Sequence, residues 1–212
     1  MSAVPKRLMT GLAGIVLAAG LALPIAIESA CAAEPQSPDQ IIKALKPPVR
    51  ATRGLTTSSP ADATRNAEDA RFVDTLRKRP TRSLTTEERD KIASISQKRP
   101  SIDLEINFEY NSDRISPKAM PQVSALGEAL ASADLKGGTF IVAGHTDGKG
   151  GETFNQGLSE RRADAVKRFL MEKYKIEDGR LVTVGYGKTQ LKDTSNPTAA
   201  ENRRVQVVNV AN

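Results

Sequence analysis

Apolar and polar residues alternate without a break over residues 102–110, where isoleucine, leucine, phenylalanine and tyrosine fill every second position. This period of two is typical of a β-strand with one buried face. Three short apolar runs follow, at residues 140–143, 181–184 and 205–208, and each indicates a further strand. The pattern therefore predicts four strands in the second half of the chain.

Two segments with helical periodicity lie between the first three strands. The first opens at Ser116-Pro117 and ends at Gly137-Gly138, which are typical residues for the two ends of a helix. The second follows a glycine-rich loop over residues 148–151, and its apolar face carries Leu158, Ala165, Val166, Phe169 and Leu170. The order β-α-β-α-β-β predicts an α/β sandwich with two main helices on a small sheet. Residues 102–212 are long enough to bury one ordinary core.

Residues 34–101 have a different composition, rich in proline, serine, threonine and basic residues, and only one of the eight aromatic residues of the chain, Phe72, precedes residue 102. This composition predicts a mostly irregular linker. Capping boxes at Ser37–Gln40 and Thr85–Glu88 predict two short helices within it, and Asn66 precedes a third apolar triplet. Two interpretations stay open, a solvated tether and short helices that dock on a partner.

Residues 1–33 predict a secretory signal peptide. Lys6 and Arg7 precede an uncharged apolar stretch over residues 8–27, and Ala30-Cys31-Ala32 offers a cleavage site between small residues. An uncleaved membrane anchor and lipidation at Cys31 are the alternatives, although Glu28 occupies the position where lipoprotein signals usually carry an aliphatic residue. Cleavage would leave an exported chain that starts near residue 33 or 34.

Charge and composition exclude several functions. The net charge of +6 arises almost entirely from residues 34–101, which carry an excess of five basic residues, whereas residues 102–212 are neutral. Nucleic-acid binding by the domain is therefore not expected. One cysteine and one histidine exclude a disulfide framework and the usual thiolate or histidine metal sites, so neither metal nor cofactor is expected. No nucleophile motif marks the chain as an enzyme.

Three polar residues near the second predicted helix form the candidate site. Asp147 follows a strand at the end where α/β sheets gather ligands, Asn155 lies near the helix start, and Arg162 follows two turns later. A carboxylate, an amide and a guanidinium in this order suit a ligand that carries both an ammonium and a carboxylate. A structural ion pair between Asp147 and Arg162, with Asn155 as the helix N-cap, explains the same residues equally well.

The string Thr146-Asp147-x-x-Gly150-x4-Asn155-x-x-Leu158-Ser159-x-x-Arg162-Ala163-x-x-Val166 resembles the signature of the OmpA C-terminal-like domain family. The resemblance extends from Ile106-Asn-Phe108 through Gly185-Tyr186-Gly187 to Asn202-Arg203-Arg204-Val205, and so covers essentially all of residues 102–212. It implies the OmpA-like fold, with its helices on a small mixed sheet.

The resemblance further implies non-catalytic binding of peptidoglycan through the meso-diaminopimelate of its stem peptides. On the family pattern Asp147 and Arg162 are the main anchors, and Asn155, within the same motif as Thr146, supports them. The loop after the first strand and the two arginines before the last strand would line the pocket, which adds Glu109, Asn111, Arg203 and Arg204. Glu109 stands where the family usually has Asp, so this part of the pocket departs from the pattern.

The rest of the chain indicates which kind of family member this is. Residues 34–101 cannot supply a transmembrane barrel, and residues 8–27 lack the acidic residue of a flagellar stator helix. The expected protein is periplasmic in a Gram-negative bacterium and tethers the cell wall to the outer membrane or an envelope partner. The alternative is an envelope-interaction protein that contacts an anionic surface or a protein through residues 34–101, with the domain as a passive anchor. The sequence leaves homodimer formation open.

Overall fold

The computed structural model describes residues 35–47, 60–109 and 111–210. The predicted signal peptide lies outside these residues, and no helix within them is both long and apolar enough to cross a membrane. The helices are α1 (Pro38–Leu45), α2 (Pro60–Leu76), α3 (Thr86–Ser96), α4 (Met120–Ala131) and α5 (Glu152–Tyr174). The strands are β1 (Ser101–Leu104), β2 (Phe140–Gly144), β3 (Leu181–Gly185) and β4 (Val205–Asn209).

The four strands form one mixed sheet in the order β1-β4-β2-β3, which confirms the predicted fold class. β2 and β3 are parallel, with Phe140 opposite Leu181 and Gly144 opposite Gly185. β4 runs antiparallel to both β1 and β2. The parallel pair requires a crossover connection, and α5 supplies it.

The first strand and the first long helix are both shorter than predicted. β1 ends at Leu104 because that residue pairs with Val205, the first residue of β4, so no partner strand continues beyond it. The burial alternation persists past the strand, since Ile106 is buried and Phe108 forms an isolated bridge with Ile115. α4 ends at Ala131, where the Ser132 hydroxyl donates to the Ala129 carbonyl, and turns lead from there to β2.

One face of the sheet carries α1, α4 and α5. Their apolar residues share a core with Leu104, Phe140 and Val207 of the strands. α1 is part of this core, because Ile41 and Leu45 are both fully buried. Polar contacts fix it further: Asn209 Nδ2 donates to Leu45 O at 2.9 Å, and Lys46 Nζ lies 2.8 Å from Asp134 Oδ1.

The opposite face is covered by the end of α2 and by α3. Val73, Leu76, Ile92 and Ile95 pack there with strand residues Ile141, Ala143, Val182, Val184 and Val208. β2 and β3 are buried along their whole length, as expected of strands covered on both faces. The fold is therefore helices, sheet and helices in three layers.

This packing corrects the expectation of a solvated tether for the described part of residues 34–101. Both capping boxes form, at Ser37 with Gln40 and at Thr85 with Glu88, and the short helices that they open are confirmed. The helices dock on the chain's own sheet, because their apolar residues complete its two faces. The third helix begins at Pro60, earlier than Asn66, and the residues from Thr64 to Glu68 are exposed.

α5 approaches the sheet closely at the ends of the parallel strands. A Cβ atom at Gly144 would overlap the backbone carbonyl of Ser159, and one at Gly185 would lie 2.6 Å from the backbone nitrogen of Glu160. The Ser159 hydroxyl accepts a hydrogen bond from Gly187 N at 2.8 Å. This contact holds the first turns of α5 over the carboxyl ends of β2 and β3.

Candidate functional site

Asp147 lies in the loop after β2, where one backbone hydrogen bond fixes the loop and two further hydrogen bonds fix the carboxylate. The preceding residue, Thr146, donates its backbone N–H to Gly187 O at 2.8 Å and is buried. The Asp147 carboxylate accepts from Lys149 N at 3.1 Å through Oδ1 and from Arg203 Nη1 at 2.9 Å through Oδ2. Its side chain keeps 14% of its surface exposed, so a ligand can still reach it.

Asn155 orders the loop that carries Asp147. It is buried in the first turns of α5, and its Nδ2 donates to Lys149 O at 2.6 Å. Gly150 in the same loop has a φ of 84°, which favours glycine. The N-cap of α5 is Gly151, so the interpretation of Asn155 as the N-cap is wrong.

Arg162 projects from α5 over the ring of Phe108, with 4.8 Å from the guanidinium carbon to the ring centre. Its Nε donates to Ser112 O at 3.2 Å, which is the one hydrogen bond that the Arg162 side chain makes within the described residues. Arg162 makes no ion pair there, so the alternative of an Asp147–Arg162 ion pair is also wrong. Burial lowers the pKa of Arg162, Arg203 lowers it further, and Asp147 raises it.

The two arginines before β4 have different partners. Arg203 is 42% exposed and forms the ion pair with Asp147. Arg204 is mostly buried, and its Nε lies 3.5 Å from Asp103 Oδ2 on β1. Its Nη2 donates to Gln190 O at 3.3 Å.

The loop after β1 reaches the site through its backbone. Ser112 accepts the hydrogen bond from Arg162, whereas the side chains of Glu109 and Asn111 are exposed. Glu109 Oε2 lies 3.6 Å from Arg114 Nη1, and Asn111 adopts a left-handed conformation with a φ of 52°. The structure thus brings Asp147, Arg162 and Arg203 together, and Thr146 and Asn155 hold the loop that carries Asp147. The side chain of Arg204 is paired with Asp103 instead, and Glu109 and Asn111 lie exposed at the rim.

A cavity of about 40 Å³ lies beside these residues. It is lined by Ile106, Asn107, Phe108, Gly144, His145, Arg162, Arg203, Arg204 and Val205. Neither His145 nor Asn107 is among the site residues predicted from the sequence. His145 is 2% exposed, and its ring lies 5.3 Å from that of Tyr186, centre to centre. The described residues include no group of three or more His, Cys, Asp or Glu that could hold a metal ion.

His145 should make the stability of the fold depend on pH. Burial lowers its pKa from 6.5 to about 3, and Arg204 adds to this effect while Asp103 opposes it. The unfolded chain therefore takes up a proton below pH 6.5 that the folded chain refuses. The free energy of unfolding should fall as the pH drops through this window, by up to about 1.4 kcal/mol per pH unit.

Urea unfolding between pH 7.5 and pH 4 measures this effect, with His145→Phe as the comparison because phenylalanine keeps a ring against Tyr186. The variant should lose less stability than the natural protein on acidification. Equal losses in the two proteins would show that His145 does not have a lowered pKa.

The predicted site residues all lie within a segment of the chain that matches a known protein family. Residues 107–205 match the family model described as OmpA family. Outer membrane porin F of Pseudomonas aeruginosa is 34% identical over 108 residues, which are 50% of this chain and 30% of the porin. The peptidoglycan-associated lipoprotein of the same organism is 36% identical over 104 residues, which are 47% of this chain and 58% of the lipoprotein. The chain thus spans less than two thirds of either relative.

Among solved structures, the peptidoglycan-associated lipoprotein from Burkholderia pseudomallei aligns with a TM-score of 0.42 at 25% identity. The alignment covers 53% of this chain and 91% of that structure.

Proposed function

We propose that the protein binds peptidoglycan without catalysis, through the diaminopimelate of the stem peptides, with the segment over residues 107–205 that matches the OmpA family model. The relative named peptidoglycan-associated lipoprotein matches this half of the chain and supports the proposal. The exposed part of the Asp147 carboxylate would take the ammonium of the ligand, and Arg162 would take the carboxylate.

The observation that carries this proposal is the unequal pairing of the two anchors. Asp147 has an ion-pair partner in Arg203, but Arg162 has none among the described residues. Its Nε is fixed by Ser112 and its guanidinium lies over Phe108, and neither terminal nitrogen has a hydrogen-bond partner among the described residues. A partly buried guanidinium without a counter-ion is costly, and a bound carboxylate would remove that cost.

The Asp147 carboxylate, which would bind the ammonium of the ligand, is already paired with Arg203. Arg203 Nη1 donates to Asp147 Oδ2 at 2.9 Å, while Lys149 N donates to Oδ1. A ligand ammonium would share this carboxylate or displace the half-exposed Arg203 side chain. The ion pair with Arg203 thus orients the Asp147 carboxylate toward the ligand subsite.

The location proposed with this function is the periplasm, where the protein would tether the wall to the outer membrane or to another envelope component. The names of the relatives refer to the outer membrane and to peptidoglycan, which supports an envelope location. Residues 1–33 would direct export under this proposal.

Sedimentation with purified sacculi tests the proposal. The protein should pellet with diaminopimelate-type sacculi and be released by free meso-diaminopimelate, whereas sacculi with lysine in that position should retain much less. The supernatant should contain no released muropeptides, because the proposed function is binding alone. Protein that stays in solution with both kinds of sacculi, or that binds both equally, would contradict the proposal.

A further inference from the structure

The basic residues of residues 34–101 are concentrated in one short turn. The chain that leaves α2 reads Arg77-Lys78-Arg79-Pro80-Thr81-Arg82, which has four basic residues in six and no acidic one. Residues 34–101 as a whole carry an excess of five basic residues. This basic turn (residues 77–82) accounts for much of that excess, and the proposed wall binding does not use it.

The basic turn and α5 form the walls of one cleft. Among the described residues, the charged part of its lining consists of four cations, two from the turn and two from α5, and two carboxylates: Lys78, Arg79, Lys167, Arg168, Asp164 and Asp178. The match to the OmpA family model begins at residue 107, so one wall of the cleft lies outside the matched segment. The cleft is therefore built by this chain's own additional helices.

The two carboxylates of the lining already have partners. Asp164 Oδ1 accepts hydrogen bonds from the hydroxyl groups of Thr81 and Thr183, both of which are buried. Asp178 Oδ1 lies 2.7 Å from Lys167 Nζ, so these two charges largely cancel. The unpaired negative charge of the cleft is thus that of Asp164, which lies against the two buried threonines.

The other three cations keep more of their positive charge. Lys78 is exposed and has no ion-pair partner among the described residues. Arg79 is paired with Glu88, which lies outside the lining. Arg168 is 59% exposed, and its partner Asp113, at 3.3 Å, also lies outside the lining. Because exposed ion pairs of this kind are weak, the cleft presents one free lysine and two guanidinium groups to an anion.

The size and lining of the cleft indicate the kind of anion. Its volume of about 360 Å³ is within the range of pockets that hold small ligands, and Pro80 and Met171 add apolar surface. A phosphomonoester carries a charge of about −1.5 to −2 at neutral pH, and guanidinium groups bind phosphate through two parallel hydrogen bonds. Three cations around one opening match this charge better than that of a single carboxylate. The remaining volume would accommodate part of the molecule that carries the phosphate.

We infer that the cleft between the basic turn and α5 is a phosphate-binding site, in which Lys78, Arg79 and Arg168 hold the phosphate group. The group has two possible sources, the headgroup of an anionic lipid at a membrane surface and a small soluble phosphate. The site goes beyond the proposed wall binding, which needs none of these three residues.

Two probes distinguish the sources. Calorimetry with sodium phosphate, against sodium chloride of equal ionic strength, measures binding of the free anion. Co-sedimentation with vesicles of phosphatidylcholine and phosphatidic acid, against phosphatidylcholine alone, measures binding at a surface. Lys78→Glu reverses the free charge of the cleft. Lys98→Glu is the matched control, because Lys98 is also exposed, follows the opposite end of α3 and lies outside the lining.

Sodium phosphate should bind to the natural protein and at least about tenfold more weakly to Lys78→Glu, the loss expected for a hydrogen bond to a charged group. Lys98→Glu should bind like the natural protein. Phosphate binding without vesicle binding supports the soluble source, and vesicle binding that is lost only in Lys78→Glu supports the lipid source. Thermal unfolding shows that both variants remain folded.

Two results would overturn the phosphate site. One is the absence of binding to both probes, and the other is equal weakening by Lys78→Glu and Lys98→Glu, which would show that net charge alone attracts the anion. Co-sedimentation of Lys78→Glu with sacculi should equal that of the natural protein. The phosphate site and the proposed wall binding can therefore fail separately.

Discussion

Replacing Arg162 with alanine should abolish the co-sedimentation of the protein with diaminopimelate-type sacculi. The guanidinium is fixed by Ser112 and Phe108 and has no competing carboxylate among the described residues. A partly buried, charge-assisted contact of this kind contributes about 2–5 kcal/mol to binding, so the affinity should fall at least about 30-fold. Asp147→Ala should have a similar effect, because it removes the ammonium partner and also leaves Arg203 unpaired.

Arg161→Ala is the matched control for this experiment. Arg161 is the neighbour of Arg162 on α5, has the same charge and is exposed. Its removal should leave sedimentation unchanged. Thermal unfolding of each variant separates loss of binding from loss of fold. Folded Arg162→Ala and Asp147→Ala proteins that still pellet like the natural protein would refute the proposed site.

The spacing within α5 explains why much of this site could be predicted from the sequence. Asp147, Asn155 and Arg162 belong to one loop and the helix that follows it, so their proximity depends on local structure alone. The partner of Asp147 could not be found in this way. Arg203 is 56 residues further along the chain, and only the pairing of β2 with β4 brings it to the loop.

The fold shows the same division between local and distant contacts. The strands and the helix ends follow from period, caps and glycines, and the capping boxes at Ser37 and Thr85 form as predicted. Docking of these helices was missed because each is short and contributes few apolar residues. One signal did exist: the apolar runs at Phe140 and Leu181 imply cover on both faces of the sheet, and α4 and α5 can cover only one.

Replacing Ile41 with alanine should destabilise the folded protein by about 2–5 kcal/mol, the usual cost of truncating a fully buried isoleucine. Ile41 is 0% exposed in the core that α1 shares with α4 and the sheet. Ile92→Ala should have an effect of similar size on the other face, where Ile92 is also 0% exposed. Urea unfolding followed by circular dichroism measures both. A solvated tether would show no change at either position.

Ile42→Ala is the matched control, because it makes the same truncation one residue along α1 at a position that is only partly buried. Its cost should be clearly smaller than that of Ile41→Ala. Equal and negligible losses at both positions would show that α1 does not dock in solution. If the expected difference is found, deletion of residues 34–101 would uncover the face of the sheet that α2 and α3 cover and would open the core on the other face where α1 packs. Wall binding should therefore be measured with these helices in place, because a deletion would lose binding through unfolding whatever the site contributes.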